Sequence, residues 1–170
     1  MAVLNVNPTR MELTRLKKQL ATALRGHKLL KDKRDELMRQ FLDMIRETKT
    51  LREEVEERLK SVNNDFVLAS SVMSKEELDT ALLAPKQEVY LAASTRNVMS
   101  VDIPVYSFKT RTSEQSDIFS YGFASTSFEL DDAVSGLSDL LPKMLKLAEM
   151  EKSVKLMADE IEKTRRRVNA

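Results

Sequence analysis

Residues 13–51 read LTRLKKQLATALRGHKLLKDKRDELMRQFLDMIRETKTL, and their apolar side chains recur at alternating steps of three and four residues. That spacing places an apolar stripe along one side of a helix, as in coiled coils. The stripe consists of Leu13, Leu16, Leu20, Ala23, His27, Leu30, Leu37, Phe41, Met44 and Leu51. The stretch therefore predicts one arm of a helical coiled coil.

The predicted first helix has a clear start signal and no interior stop signal. Asn7 can cap its first turn with Pro8 after it, and Thr9 with Glu12 fits a capping box as an alternative. No proline lies between Pro8 and Pro85. Residues 70–74 are its weakest stretch. We therefore predict one continuous helix from about Thr9 to Leu83.

The middle of the chain changes to the two-residue period of β-strands. Glu88 to Ser94 and Asn97 to Phe108 are rich in Val, Tyr and Ile, so we predict a hairpin that turns at residues 95–97. Ile118 to Thr126 predicts a third strand. Residues 84–127 thus form a β-rich insertion.

A second amphipathic helix is predicted over residues 128–170, with an apolar stripe that continues to Val168. Pro142 predicts a kink in this helix, or a break one turn earlier. The fold class is therefore mainly α: a long antiparallel two-helix coiled coil with a short β-hairpin insertion. Its segments are residues 1–83, 84–127 and 128–170.

Equal rise along two antiparallel helices predicts which residues face each other. If Leu83 lies near Glu129, Ala170 lies near Leu42. The stripe from Leu13 to Phe41 then has no partner, so we expect that the chain lacks roughly 40 residues of C-terminal helix. A second chain covering the stripe is the alternative.

Composition excludes several classes of function. The chain has no cysteine and only 3 glycines among 170 residues, and its single histidine lies in the apolar stripe. We therefore expect no catalytic residue, cofactor or metal site. The apolar runs are far shorter than the roughly 20 residues that span a bilayer, which predicts a cytoplasmic protein without direct membrane insertion.

Charge is distributed unevenly along the chain, although the net charge is only +1. Residues 1–34 carry nine Lys and Arg against two acidic residues, whereas residues 61–140 carry five against twelve. Aromatic side chains that stack on bases are missing near the basic end, which disfavours a nucleic-acid partner. The two ends therefore suit different protein partners.

Four glutamates could suggest paired carboxylates for acid–base chemistry, but their spacing spreads them around the exposed side of the helix. They are Glu53, Glu54, Glu56 and Glu57. We interpret them as a solvated face. The predicted alignment also puts them within a few turns of residues 165–167, where they would form interhelical salt bridges.

Four segments near the two ends resemble one protein family. They are NPTRMEL at 7–13, RLKKQL at 15–20, GHKLLKDK at 26–33 and EIEKTRRRVNA at 160–170. Their order and spacing are similar to those of the D subunit of the V-type and A-type ATPase and ATP synthase family. Residues 75–127 resemble that family only in length and β-rich character.

The resemblance implies a non-catalytic central rotor shaft that couples ATP hydrolysis or synthesis to proton or sodium transport. The implied partners are the catalytic and regulatory subunits of the head hexamer, the F subunit of the central stalk, and a connecting subunit that joins the shaft to the membrane ring. The implied location is peripheral, on the cytoplasmic face of the membrane.

The resemblance also assigns residues to two roles. Those expected to contact the hexamer are Arg10, Met11, Glu12, Arg15, Lys17, Lys18, Arg165, Arg166 and Arg167. Those expected to lie in a hairpin that modulates activity are Val89, Tyr90, Val101, Ile103 and Val105.

A prefoldin-like helix–hairpin–helix chaperone, or a coiled-coil adaptor, shares the predicted layout. Such a chaperone would hold clients at exposed apolar helix tips and assemble through its hairpins. That class has no reason to carry the blocks at 7–20 and 165–167, so we prefer the rotor shaft.

Overall fold

A computed structural model describes residues 7–122, 124 and 126–169, without the side chain of Gln115. The described residues form helices α1, Arg10–Val72, α2, Lys75–Leu82, and α3, Phe128–Asn169. Strands β1, Val89–Val98, and β2, Val101–Thr110, form an antiparallel hairpin between them. The long helices α1 and α3 pack against each other, which confirms the predicted mainly α fold with a hairpin insertion.

The first helix ends at Val72, so the predicted continuous helix to Leu83 is wrong. The cause is a capping box at the start of α2. Ser74 Oγ accepts a hydrogen bond from Glu77 N at 3.3 Å, and Glu77 Oε2 accepts one from Ser74 N at 3.0 Å. These bonds satisfy N–H groups that a new helix would otherwise leave unpaired.

The break shifts the register of the coiled coil relative to the prediction. Ile161 packs in one cluster with Leu37, and Lys33 Nζ lies 3.4 Å from Glu160 Oε1. The predicted pairing of the C-terminal end with Leu42 is therefore wrong, and Ala170 itself lies outside the described residues. α3 extends ~13 Å past Glu160.

This register also corrects the predicted unpaired stripe. Leu37 is fully buried, and Phe41 packs against the cluster that contains it. In the described part of the chain, the packed pairs Val62 with Gly136 and Leu37 with Ile161 put the end of α3 opposite about residue 29, so about residues 13–28 extend past it. The capping break causes the difference, because α3 begins opposite residues of α1 near Ala69 rather than opposite Leu83.

Two apolar clusters hold the coiled coil together. The first contains Leu37, Val101, Ile103, Met157 and Ile161, and the second contains Ala69, Met73, Ala81 and Leu130. Each large apolar side chain contributes roughly 1.5–3 kcal/mol on burial. The first cluster joins both long helices to the hairpin, and the second joins them to α2.

The hairpin turns at Met99 and Ser100 rather than at residues 95–97. Both residues have positive φ angles, 52° and 72°, as a two-residue type I′ turn requires. Asn97 Oδ1 accepts a hydrogen bond from Ser100 N at 3.2 Å, and Asn97 Nδ2 donates to Asp102 Oδ1 at 2.6 Å. These bonds offset the steric cost of left-handed backbone at non-glycine residues.

Two further predictions are wrong. Gln115–Ile118 is a 3₁₀ helix, and the described residues up to Ser127 lie outside any strand; residues 123 and 125 of the predicted third strand are outside the described residues. α3 continues through Pro142, so the predicted break one turn earlier is wrong, while the alternative of a kink stays a prediction. Packing of α3 along α1 outweighs the loss of one backbone hydrogen bond at that proline.

The hairpin lies along α3 and contacts it through β2. Val101 and Ile103 are buried in the first cluster, while Glu149 Oε2 accepts a hydrogen bond from Tyr106 N at 2.7 Å. Burial raises the pKa of Glu149, but Lys146, the Tyr106 N–H and Arg96 together lower it more. The pKa therefore lies below its usual range, and the carboxylate anchors β2.

The Glu149 anchor predicts a pH dependence of hairpin docking. Because its folded pKa is below its unfolded value of about 4.3, its contribution is complete above that value and is lost as pH falls through the folded pKa. We expect exchange protection of the Tyr106 amide, corrected for intrinsic rates, to fall as the pH drops from that unfolded value through the lower folded pKa.

Glu149→Gln will reduce this protection about fivefold at neutral pH and remove its acid-dependent fall, since a neutral acceptor bonds more weakly. Glu151→Gln is the control, because Glu151 pairs with Arg52 on α1 instead of with the hairpin. Identical pH profiles for the wild type and Glu149→Gln would contradict a role for the carboxylate.

Gly136 allows a close approach of the two long helices. A Cβ atom added there would lie 2.8 Å from Val62 Cγ2, whereas one added at Gly26 would meet nothing within 4 Å. We expect Gly136→Ala to lower the free energy of unfolding by about 1 kcal/mol net, because overpacking outweighs better helix propensity. Gly26→Ala will raise it by about 0.5–1 kcal/mol.

Urea unfolding followed by helical circular dichroism measures both changes. Val62→Ala combined with Gly136→Ala provides the double-mutant cycle, in which Val62→Ala should relieve the clash that Gly136→Ala creates. Stabilisation by Gly136→Ala equal to that by Gly26→Ala would show that the helices do not meet at this point.

Candidate functional site

The candidate functional features among the described residues are exposed surfaces at the two ends of the coiled coil and on the hairpin. No group of three or more His, Cys, Asp or Glu side chains among them could hold a metal ion. Within the same part of the chain, no helix is long and apolar enough to cross a membrane. His27 is exposed on α1 instead of packed in a helix seam, and Gly26 admits no close neighbour.

The N-terminal end of α1 carries the first group of predicted contact residues. Thr9 caps the helix by accepting a hydrogen bond from Glu12 N at 3.3 Å, and Glu12 pairs with Arg15 at 3.0 Å. Met11 is 86% exposed. Arg10, Arg15, Lys17 and Lys18 are also exposed, so this end presents cations around an apolar side chain.

The second group lies at the end of α3. Arg165, Arg166 and Arg167 are exposed, and Arg166 pairs with Glu162 one turn earlier. The register set by Lys33 and Glu160 puts this triplet beside residues near 28–33 of α1. It therefore extends the basic surface, and it lies roughly 15–20 Å along the axis from Lys18.

The acidic cluster at residues 53–57 is far from this triplet. Glu54 pairs with Lys143 across the helices, and Glu53 lies 3.7 Å from Lys49 on its own helix. Arg165 lies ~33 Å farther along α3 than Lys143. The predicted salt bridges between these glutamates and the triplet are therefore wrong, because the register differs from the predicted one.

The opposite end of the molecule combines exposed apolar side chains with carboxylates. Val67, Val72, Leu83 and Phe128 are exposed by 62%, 67%, 81% and 72% of their surface. The carboxylates nearby in the chain are Glu76, Glu77, Asp79, Glu129, Asp131 and Asp132. This apolar and acidic end offers a surface unlike the basic one, as the charge distribution predicts.

The five predicted hairpin residues have different environments. Val101 and Ile103 are buried against the helices, and Val105 is half-buried. Val89 and Tyr90 are exposed, and the Tyr90 hydroxyl donates to Glu88. The side chains of Val101 and Ile103 therefore attach the hairpin to the coiled coil.

Sequence reasoning missed three residues that define the hairpin surfaces. Leu91 and Phe108 pair across the strands on the outer face of the hairpin, which is the face opposite the buried Val101 and Ile103. Glu149 binds the backbone of β2. The alternation of apolar residues indicates the first two once the turn is placed at 99–100. Glu149 carries no local signal, because its partner is 43 residues away in the chain.

Comparison with known proteins identifies the family. Residues 12–170 match the ATP synthase D-subunit family. The chain is 63% identical to the D subunit of the V-type ATP synthase of Acetivibrio thermocellus over 170 residues, which are 100% of this chain and 77% of that protein.

Two other relatives agree with this match. The V-type ATP synthase D subunits of Clostridioides difficile and Clostridium novyi are 61% and 57% identical, over all of this chain and over 76% and 79% of their own lengths. The match extends across both long helices and the hairpin, and these elements present the surfaces described above. The chain therefore belongs to the ATP synthase D-subunit family.

Proposed function

We propose that the chain is the central-stalk rotor subunit of a V-type rotary ATP synthase. It would be non-catalytic and would couple ATP hydrolysis or synthesis in a head hexamer to proton or sodium transport. The observation that carries this proposal is an antiparallel coiled coil with chemically different ends, in a chain that belongs to the D-subunit family. Residues 1–83, 84–127 and 128–170 would supply its first arm, hairpin and second arm.

Length and interlocking support a role in transmitting torque. α1 has 63 residues, which corresponds to ~95 Å. The two long helices interlock where Gly136 meets Val62, and Arg52 with Glu151 links them farther along. Native packing resists sliding, because side chains occupy fixed positions at close-packed density.

Asymmetry supports a role in selecting one catalytic interface at a time. A shaft inside a ring of repeated subunits must present different surfaces to them, and the hairpin lies on only one side of this coiled coil, along α3. Together with the uneven charge, this gives the shaft a distinct side and two distinct ends.

The surfaces suggest where the proposed partners bind. The basic end, with Arg10, Met11 and residues 165–167, would contact the catalytic and regulatory subunits of the hexamer. The F subunit of the central stalk would bind the side of the shaft, and the apolar and acidic end would meet the connecting subunit of the membrane ring. The complex would then hold this chain at the cytoplasmic face of the membrane.

The first test separates coupling from catalysis. We expect no ATP hydrolysis by the isolated chain. We also expect it to restore ion-coupled turnover to a complex that lacks its D subunit, when completed with the part of the Acetivibrio thermocellus protein that the match does not cover. Turnover by the isolated chain, or failure of the completed chain to bind the hexamer, would contradict the proposal.

A second test concerns the arginine triplet. Arg165→Ala with Arg167→Ala should weaken hexamer binding about tenfold or more at low salt, because exposed charges that face a partner affect association strongly. The control is Lys152→Ala with Lys155→Ala, which removes two exposed charges from the middle of α3.

Binding is measured by titration of the hexamer at 0.1 M and 1 M salt, where the Debye length falls from about 10 Å to 3 Å. The difference in hexamer affinity between the two double variants should shrink at the higher salt concentration. Equal affinities at low salt would show that the triplet does not contact the hexamer.

A further inference from the structure

We propose that the free edge of β1 accepts an extended, uncharged strand from another subunit of the complex, which adds to the hairpin as a third strand. The inference rests on the proposed function in so far as this strand belongs to a neighbouring subunit. Two independent features of the hairpin support it: the state of its edges and the chemistry of its outer face.

The alternation of hydrogen-bonded and non-hydrogen-bonded pairs along the hairpin determines which backbone groups of β1 are free. Glu88 O accepts from Arg111 N at 2.9 Å, and Tyr106 N points away from β1 to reach Glu149. Residues of β1 therefore alternate between bonding β2 and pointing outward. The outward N–H and C=O groups belong to Val89, Leu91, Ala93, Thr95 and Asn97, and no described residue bonds them.

The two edges of the hairpin differ in how they are protected. On β2, Pro104 has no N–H to offer, Glu149 occupies the N–H of Tyr106, and α3 lies alongside. Natural proteins protect exposed edges with prolines, charges or a covering element. The outward positions of β1 have none of these, because its charged Arg96 belongs to the set that bonds β2.

The outer face of the hairpin is apolar and uncharged over most of its length. Leu91 and Phe108 form a cross-strand pair, exposed by 50% and 38%, and Val89 beside them is 40% exposed. Ala93 opposes Tyr106 on the same face. This surface fits a strand with apolar side chains at alternate positions. A charged side chain is disfavoured there, because binding would remove it from water.

Size argues for a strand from the same complex rather than for a second copy of this chain. One edge of about five residues buries far less than the roughly 1,200–2,000 Å² of a stable interface between free proteins. Inside an assembled complex, the strand is held nearby at high effective concentration, so a small contact suffices.

The backbone test uses Ala93→Pro. Proline removes the outward N–H of residue 93 and leaves the ladder to β2 intact, because proline is tolerated on an edge strand. Ala93→Thr is the matched control that keeps the N–H. Amide exchange is measured at Leu91 and Thr95 in the free chain and in the assembled complex.

For the wild type and Ala93→Thr, we expect exchange at Leu91 and Thr95 to slow at least tenfold on assembly. For Ala93→Pro, the slowing should fall to less than threefold. Exchange at the Tyr106 amide reports whether the hairpin stays docked in each variant, so a misfolded hairpin is recognised directly.

A side-chain test uses the absence of cysteine from the chain. Ala92→Cys and Ala93→Cys place thiols at adjacent exposed positions on opposite faces of β1. Alkylation by N-ethylmaleimide should be equal within threefold in the free chain. In the complex, the thiol of Ala93→Cys should react at least tenfold more slowly, and that of Ala92→Cys should change much less.

Three outcomes would overturn this proposal alone. Unchanged exchange at Leu91 and Thr95 in an active complex would exclude strand pairing while leaving the rotor function intact. Protection of the Ala93→Cys thiol without slower amide exchange would indicate a helix across the face. Concentration-dependent protection in the chain alone would identify a second copy as the occupant. Failure of the wild type to assemble would instead refute the proposed function and this inference with it.

Discussion

The contact between Gly136 and Val62 sets the relation between the two long helices, and the rest of the structure depends on it. With no Cβ at residue 136, α3 lies close enough to α1 that even one added carbon would fall 2.8 Å from Val62 Cγ2. Once this crossing is fixed, the antiparallel rise of both helices brings Leu130 to Ala69 in one direction and Ile161 to Leu37 in the other. Both apolar clusters follow from that register.

The same register explains where the hairpin lies. Leu37, Met157 and Ile161 form an apolar surface that two helices alone leave open, and Val101 and Ile103 of β2 cover it. Glu149 fixes the strand further along by accepting the Tyr106 N–H. β2 is therefore part of the core, whereas β1 is exposed for most of its length. One strand attaches the hairpin, and the other is available for a partner.

Polarity along the coiled coil suits a protein that meets different partners at its two ends. Cations gather where α1 begins and α3 ends, while exposed apolar side chains and carboxylates gather at the turn between α1 and α2. Ion pairs such as Lys33 with Glu160 and Arg52 with Glu151 connect the helices between these ends. The ends can thus interact with partners while the middle keeps the helices in register.

The sequence by itself determined the two amphipathic helices, the hairpin between them and the family, because heptad spacing, strand alternation and the motifs near residues 7–33 and 160–170 are local patterns. It also determined which end is basic. Local side-chain bonds that the heptad and strand patterns do not reveal set the break at Val72 and the turn at Met99 and Ser100. Tertiary packing decided the continuity of α3 through Pro142 and the register of the two long helices, because both depend on contacts between residues far apart in the chain. Docking of β2 on the cluster formed in that register leaves β1 exposed, so only the folded chain could show that β1 has the free edge.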